Sequence, residues 1–205
     1  LIWKALRPHI REGTHVLELG VGDASLTRKL YDAGAIVDVM ELNPTQTRAA
    51  APWTRHALNV DINNIEQHLP EEPYDVVVAA DVLEHLLRPE EVLASLKSAL
   101  GKGGILVVSL PNIANFTVRI PLLLGQFTRR RRGILDASHL HFYTLSSMRT
   151  LLGKTGWKIE SGTVTALPLP EILPIFLKPP LRWLLPGLFA LTRMCRGFMA
   201  YQGIF

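Results

Sequence analysis

Through the first half of the chain, short runs of apolar residues alternate with amphipathic stretches. "THVLELG" reads as a strand, "SLTRKLYDAG" as a helix, "AIVDVMEL" as a second strand, and "NPTQTRAA" as a helix opened by Asn43 as cap with Pro44 at its first position. "RHALNV" and "YDVVVAA" continue the rhythm as strands. The helix "RPEEVLASLKSALGKGG" follows, with Gly101, Gly103 and Gly104 marking its end, and then the strand "ILVVSLP". Strands built almost entirely of Val, Ile, Leu and Ala are covered on both faces, as parallel strands with helices on either side must be. The pattern predicts an α/β fold with a doubly wound sheet.

The second half is less regular. An insertion from Ile113 to Tyr143, read as a lid, carries "TRRRRG" and "DASHLHFYT". A helix, "SSMRTLLGKTG", and a strand, "WKIESGTV", follow it. From Ala166 to Pro186 the chain places six of its fourteen prolines among leucines and isoleucines, which rules out an ordinary long helix. Glu171, Lys178 and Arg182 interrupt that Pro-rich apolar insertion (166–195) well short of the roughly 20 apolar residues a membrane span needs. "FMAYQGIF" reads as a last strand.

Composition narrows the classes. With 205 residues, 48% hydrophobic and 20% charged, the chain suits one globular domain over 1–205. The net charge of +4 comes with clustered arginines, so a nucleic-acid partner is not expected. Cys195 is the single cysteine, which excludes an internal disulfide and a cysteine-based metal site and fits a reducing cytoplasm. A start at Leu1 suggests that a natural beginning has been trimmed.

The candidate chemistry centres on "VLELGVGDAS". Gly20 and Gly22 allow a sharp turn after the first strand and a close approach to a ligand, beside the free amides of a helix starting near Ala24. Glu18 behind that turn and Asp23 within it disfavour a pyrophosphate and favour a ligand with positive charge. Glu41 closes the second strand at a spacing that suits hydrogen bonds to ribose hydroxyls, and Asp61, after the third strand, can reach an adenine amino group. Ser25 stands where a dinucleotide-binding fingerprint has its third glycine, which ranks a nicotinamide-dependent oxidoreductase low.

"VLELGVGDAS", Glu41, "NVDI" and "AADVLEHL" together resemble the class I S-adenosylmethionine-dependent methyltransferases over roughly the first 160 residues. The branch it is most similar to holds ubiquinone-pathway O-methyltransferases, methionine-biosynthesis-associated methyltransferase-like proteins and cell-surface polysaccharide methyltransferases. "SLPNIANFTVRIPLLLGQF", "GILDASHLHFYTL" and "FMAYQ" lean toward the last group. The resemblance implies a Rossmann-like seven-stranded, mostly parallel sheet with an antiparallel last strand, and S-adenosylmethionine as cofactor. It places Glu18, Gly20 and Gly22 at the methionine part, with Asp23 beside them. Glu41 and Leu42 fall at the ribose, Asp61 and Ile62 at the adenine, and Ala80, Asp81 and Val82 near the sulfonium. Ala24 departs from the family's frequent third glycine, and a slightly tighter pocket is the expected consequence.

Methyl transfer to a hydroxyl needs alignment and a base, and His85, His139 and His141 are the candidates. His85 has an alternative reading as a capping or packing residue under the fourth strand. His139 and His141 alternate, so in an extended stretch they point the same way. No acidic or cysteine partner stands at a diagnostic spacing from them, so no metal is expected. On the acceptor side stand Asn112, Arg129, Arg130 and Asp136. The Arg129–Arg132 run is either a solvated loop or a contact for phosphate, as in a nucleotide sugar, a lipid-linked glycan or an anionic membrane face. The expected partner is a small-molecule or lipid-linked glycan substrate, with peripheral membrane contact and a cytoplasmic location that extends to the inner membrane face. The competing class is a non-catalytic methyltransferase-fold binding protein serving a partner enzyme. Base methylation of nucleic acid falls behind, because "ADVLEH" replaces the Asn/Asp-Pro-Pro-aromatic turn of amino-group DNA methyltransferases.

Overall fold

The computed structural model describes residues 2–69, 72–166 and 185–205. The Pro-rich stretch 167–184 therefore lies outside the described residues. Seven strands form one sheet: β1 (His15–Leu19), β2 (Ile36–Glu41), β3 (His56–Asn59), β4 (Tyr74–Ala80), β5 (Leu100–Pro111), β6 (Thr163–Thr165) and β7 (Gln202–Ile204). Their order is β3-β2-β1-β4-β5-β7-β6. The first five run parallel, and β7 enters antiparallel between β5 and β6. This is the doubly wound, mostly parallel sheet with an antiparallel last strand that the pattern and the resemblance imply.

Both faces are covered, which explains the continuous apolar runs. Leu17, Leu19, Val77 and Ala79 face one core, shared with Met40, Leu93, Leu96 and Met148. Val16, Val37, Val39, Val76 and Val78 face the other, shared with Leu6 and Leu30. Successive side chains alternate between the two, as the pleat demands.

The helices follow their local signals. After α1 (Ile2–Leu6) come α2 (Ser25–Asp32) and α3 (Pro44–Ala50), the latter capped by the Asn43 side chain accepting from the Thr45 amide with Pro44 in its first turn. Helix α4 (Pro89–Ala99) buries Val92, Leu93, Leu96 and Ala99 along one stripe and carries Glu90 and Glu91 in its first turn, where the helix dipole favours them. It ends earlier than the sequence suggests, because Leu100–Gly104 already belongs to β5. Helix α5 (Phe116–Leu123) opens the insertion, and α6 (Leu145–Lys154) begins with a capping box between Thr144 and Ser147.

The C-terminal elements are shorter than expected. "WKIESGTV" contributes only Thr163 and Val164 to the sheet, in a strand that runs one residue further to Thr165, and "FMAYQGIF" only Gln202–Ile204. Residues Leu185–Met194 and Arg196–Met199 are helical, so the apolar insertion 166–195 closes with a helix at its C-terminal end. Pro186 sits in the first turn, where a missing amide hydrogen does no harm.

Candidate active site

The C-terminal ends of β1, β2 and β4 meet at the point where the chain reverses its direction of travel across the sheet, the usual ligand crevice of such folds. Gly20, Gly22 and Ala24 all have positive φ, at 68°, 53° and 59°. At Gly20 a Cβ would fall 2.7 Å from Val82 Cγ2, so the turn packs against the end of β4 and excludes any side chain. At Gly22 a Cβ would meet nothing within 4 Å, so the backbone there faces open space. The alanine where relatives often carry glycine keeps the left-handed geometry at a cost of roughly 1–2 kcal/mol, and helix α2 starts one residue later, at Ser25. Asp23 is exposed and accepts the Ser25 amide at 3.0 Å, and the Ser25 hydroxyl together with that amide holds its carboxyl below the usual range.

Glu41 ends β2 and is 8% exposed. Its Oε2 accepts the Val21 amide at 3.0 Å and its Oε1 accepts the Asn43 amide at 2.7 Å. Each carboxylate oxygen has further lone pairs, so these bonds fix the group and leave acceptor capacity for ribose hydroxyls. Beside it Leu42 is 64% exposed, an apolar surface at the rim. Asp61 uses Oδ1 to hold the amide and side chain of Asn63 at 2.9 and 2.8 Å, capping the turn that contains the buried Ile62.

Glu18 is 1% exposed, and its Oε2 has no hydrogen-bond partner among the described residues. Burial pushes its carboxyl up to about 8, with the Thr27 hydroxyl drawing it down and the charge of Asp23 adding to the rise. It stands in the second core beneath the glycine turn.

At the end of β4, Ala80 is half-buried and Val82 supports Gly20. Asp81 has φ of 54°, a strained geometry for a residue other than glycine. It is held by its amide to Ser109 O at 3.1 Å, by Ser109 Oγ to its Oδ1 at 2.8 Å, and by the Gln202 side chain. The last strand thus reaches into the site through Gln202.

The three histidines divide. His139 is 6% exposed and packs edge-on against His85, with ring centroids 4.8 Å apart. Its Nε2 lies 3.9 Å from Oε1 of Glu84. Burial lowers the basicity of His139 and keeps it neutral. His141 instead stacks on Tyr143 at 6.1 Å, while Leu140 between them is 53% exposed. The two rings thus join different neighbours, and the amides of Leu140 and His141 both donate to the Glu84 carbonyl rather than alternating as in an extended strand. Glu84, absent from the sequence-based site, is 1% exposed, and neither of its carboxylate oxygens has a hydrogen-bond partner among the described residues. The acidic partner that spacing did not reveal is therefore present, brought to His139 across the fold.

Two acceptor-side expectations change. Asn112 is fully buried, and its amide donates to Ala200 O at 2.8 Å and accepts the Ala114 amide at 3.2 Å. It fastens the C-terminal segment to β5 and offers a substrate nothing. Arg129 donates to the carbonyls of Asp136, Ala137 and His139, at 3.2, 2.7 and 2.7 Å, and lies over the Phe142 ring. It is a clamp that shapes the loop. Asp136 is likewise engaged, accepting the Ser138 amide and hydroxyl. Arg130 keeps an exposed side chain, with Arg131 and Arg132 exposed beside it.

An acidic residue closing β2 beside a glycine turn, in a sheet ordered β3-β2-β1-β4-β5-β7-β6, defines the class I methyltransferase fold. The chain belongs to the methyltransferase domain family, which it matches over residues 2–161. It is 32% identical over 99 residues to an uncharacterized methyltransferase of Anoxybacillus flavithermus, covering 47% of each chain. A ubiquinone biosynthesis O-methyltransferase of Shewanella is 27% identical over 149 residues, covering 70% of this chain and 63% of that protein. Among solved structures, a SAM-dependent methyltransferase from Archaeoglobus fulgidus has a TM-score of 0.68 at 15% identity, covering 98% of this chain and 89% of that one. The chain spans about half the length of the first curated relatives it matches.

The cofactor that goes with this fold is S-adenosylmethionine, and the residues fit it. Gly22 leaves open space over the turn, and the Glu41 carboxylate keeps lone pairs beyond the two amides it accepts.

Proposed function

We propose that the chain transfers the methyl group of S-adenosylmethionine to an oxygen of a sugar or other small-molecule or lipid-linked glycan acceptor. The observation that carries the cofactor half of this reading is the Glu41 carboxylate, tied by Val21 and Asn43 at the mouth of the glycine turn. When bound, the cofactor supplies an electrophilic methyl carbon and its own neutral leaving group, so the protein's task is alignment and proton removal.

In this reading Glu41 takes the ribose hydroxyls, and exposed Leu42 with Ile62 and Asp61 forms the adenine side. Glu18 and Asp23 lie toward the methionine part, and Ala80, Asp81 and Val82 toward the reacting carbon. The hydroxyl proton leaves on the side of His85 and His139, beside Asp81. His139 is held neutral, the form in which an imidazole can accept a proton or ligate an ion.

Support for an anionic or lipid-linked acceptor comes from one surface. Leu122, Leu123, Leu124 and Phe127 are 52%, 85%, 72% and 47% exposed, and they run directly into the exposed Arg130–Arg132. Apolar side chains beside guanidinium groups suit the anionic interface of a membrane or a lipid-linked phosphate. No helix among the described residues is long and apolar enough to cross a membrane.

Calorimetric titration with S-adenosylmethionine and with NADH tests the cofactor, and a radiolabelled methyl screen over nucleotide sugars and lipid-linked glycans tests the acceptor. Binding of S-adenosylmethionine alone, with label entering a glycan fraction, is the expected result. Binding without label in any acceptor favours the non-catalytic reading.

A further inference from the structure

The buried pair Glu84 and His139, with His85 beside them, has an arrangement that proton transfer alone does not explain. Both oxygens of Glu84 lack a hydrogen-bond partner among the described residues in a site 1% exposed. His139 Nδ1 lies 3.1 Å from the carbonyl of Ile134, and His85 Nδ1 lies 3.3 Å from the carbonyl of Ser138. A carbonyl only accepts, so each Nδ1 carries the hydrogen and each Nε2 is left with a free lone pair. This is how metal-ligating histidines are usually oriented, with the outer nitrogen hydrogen-bonded to a backbone carbonyl or carboxylate.

Nε2 of His139 then faces Oε1 of Glu84 at 3.9 Å, too far for a hydrogen bond, so neither atom satisfies the other. One ligand atom from each of Glu84, His85 and His139 can be chosen so that all lie within 4.8 Å of one another. A zinc-type ion held tetrahedrally by bonds of about 2.0–2.2 Å sets its ligand atoms about 3.4 Å apart, so the three side chains close by as much as roughly 1.4 Å when it binds.

We propose that Glu84, His85 and His139 bind one divalent transition-metal ion. Two imidazoles and one carboxylate suit the zinc, cobalt and manganese class better than calcium or magnesium, which prefer all-oxygen shells. His85 is exposed while Glu84 and His139 are buried, so the site is walled on one side and open on the other. Its open positions can take a hydroxyl of the acceptor and make it easier to deprotonate, the proton passing to solvent on the exposed His85 side. That role rests on the proposed methyl transfer and takes the place of proton uptake by His85 or His139, whose Nε2 atoms the ion occupies; the binding of the ion rests on neither.

The test is a titration of the chelator-treated full chain with Co2+, followed by visible absorption, and with Zn2+ by competition against a chromophoric chelator. The expected result is one equivalent per chain in the unaltered protein. His85→Ala and His139→Ala should each weaken the ion by at least about tenfold, and His141→Ala should leave it unchanged. His85 is exposed, so its substitution decides the matter even where removing buried His139 disturbs folding, which circular dichroism reports. Absence of uptake by the unaltered chain, equal affinity in His85→Ala, or equal loss in His141→Ala overturns the proposal. Calorimetry with S-adenosylmethionine in parallel separates the two readings, since loss of either binding with the other intact tells against that one alone.

Discussion

The carboxylate of Glu41 accepts the amide of Val21 at 3.0 Å, joining the end of β2 to the middle of the glycine turn that follows β1. The same side chain therefore shapes the turn and presents its remaining lone pairs above it. Glu41→Ala removes both, and S-adenosylmethionine should bind more weakly by about 1.5–3 kcal/mol. Calorimetry checks this, and unchanged affinity removes Glu41 from the site.

Gly20 and Gly22 should respond differently to alanine. At Gly20 the new methyl meets Val82 Cγ2 at 2.7 Å on top of a φ of 68°, whereas at Gly22 only the positive φ is unfavourable. Gly22→Ala should lower stability by roughly 1–2 kcal/mol, and Gly20→Ala by more, because overpacking adds to the same backbone strain. Thermal melts of the two variants show the order, and equal shifts would contradict the close approach to β4.

Stability should fall as the solution becomes alkaline. Glu18 and Glu84 are raised to about 8 and about 9 from an ordinary 4.5, chiefly by burial. The folded state keeps protons that the unfolded chain releases. The contribution is intact below about 4.5 and is lost as pH rises through about 8 and 9. In chelator-treated protein, Glu84→Gln should flatten this decline and exceed the unaltered chain above pH 9 by about 1–3 kcal/mol. Urea titrations from pH 5 to 10 measure it, and parallel curves for the two proteins would show that Glu84 ionises freely.

His139→Ala should reduce kcat while leaving S-adenosylmethionine affinity within about twofold, because the ring lies with Glu84 and His85 rather than at the glycine turn. Equal losses in both would move His139 to the cofactor side.

Asn115 caps α5 and grips the carbonyls of Met199 and Ala200 at 3.0 and 2.9 Å. Asn115→Ala removes the helix cap, the donor to the Met199 carbonyl and one of the two donors to the Ala200 carbonyl, which Asn112 still holds, and should destabilise the chain by about 1–3 kcal/mol. It should also speed amide hydrogen exchange in residues 200–204; unchanged exchange there would show that the C-terminal strand is held by other contacts.

Much of this architecture was legible one residue at a time. Val76–Ala79 could only be a strand covered on both faces, Asn43-Pro44 announced α3, and Gly20 and Gly22 marked the tight turn after β1, to which Glu41 is tied, through local geometry and spacing. The lengths of β6 and β7 were not legible, because a short strand is set by what its neighbours leave unpaired. Asn112 read as an acceptor contact because a polar residue after a buried strand looks the same whether it faces a ligand or a carbonyl 88 residues away. Arg129 looked available for phosphate until the loop folded its own carbonyls around it.

By itself the sequence determined the sheet, its helices and the acidic residue at the end of β2, since these follow from periodicity and from side chains close in the chain. Only the tertiary structure decided that Glu84 joins His85 and His139, that His141 stands apart, and that Asn112 and Asn115 hold the final segment. Those pairings depend on burial and on contacts across tens of residues, where desolvation and hydrogen-bond geometry act and local pattern carries no signal.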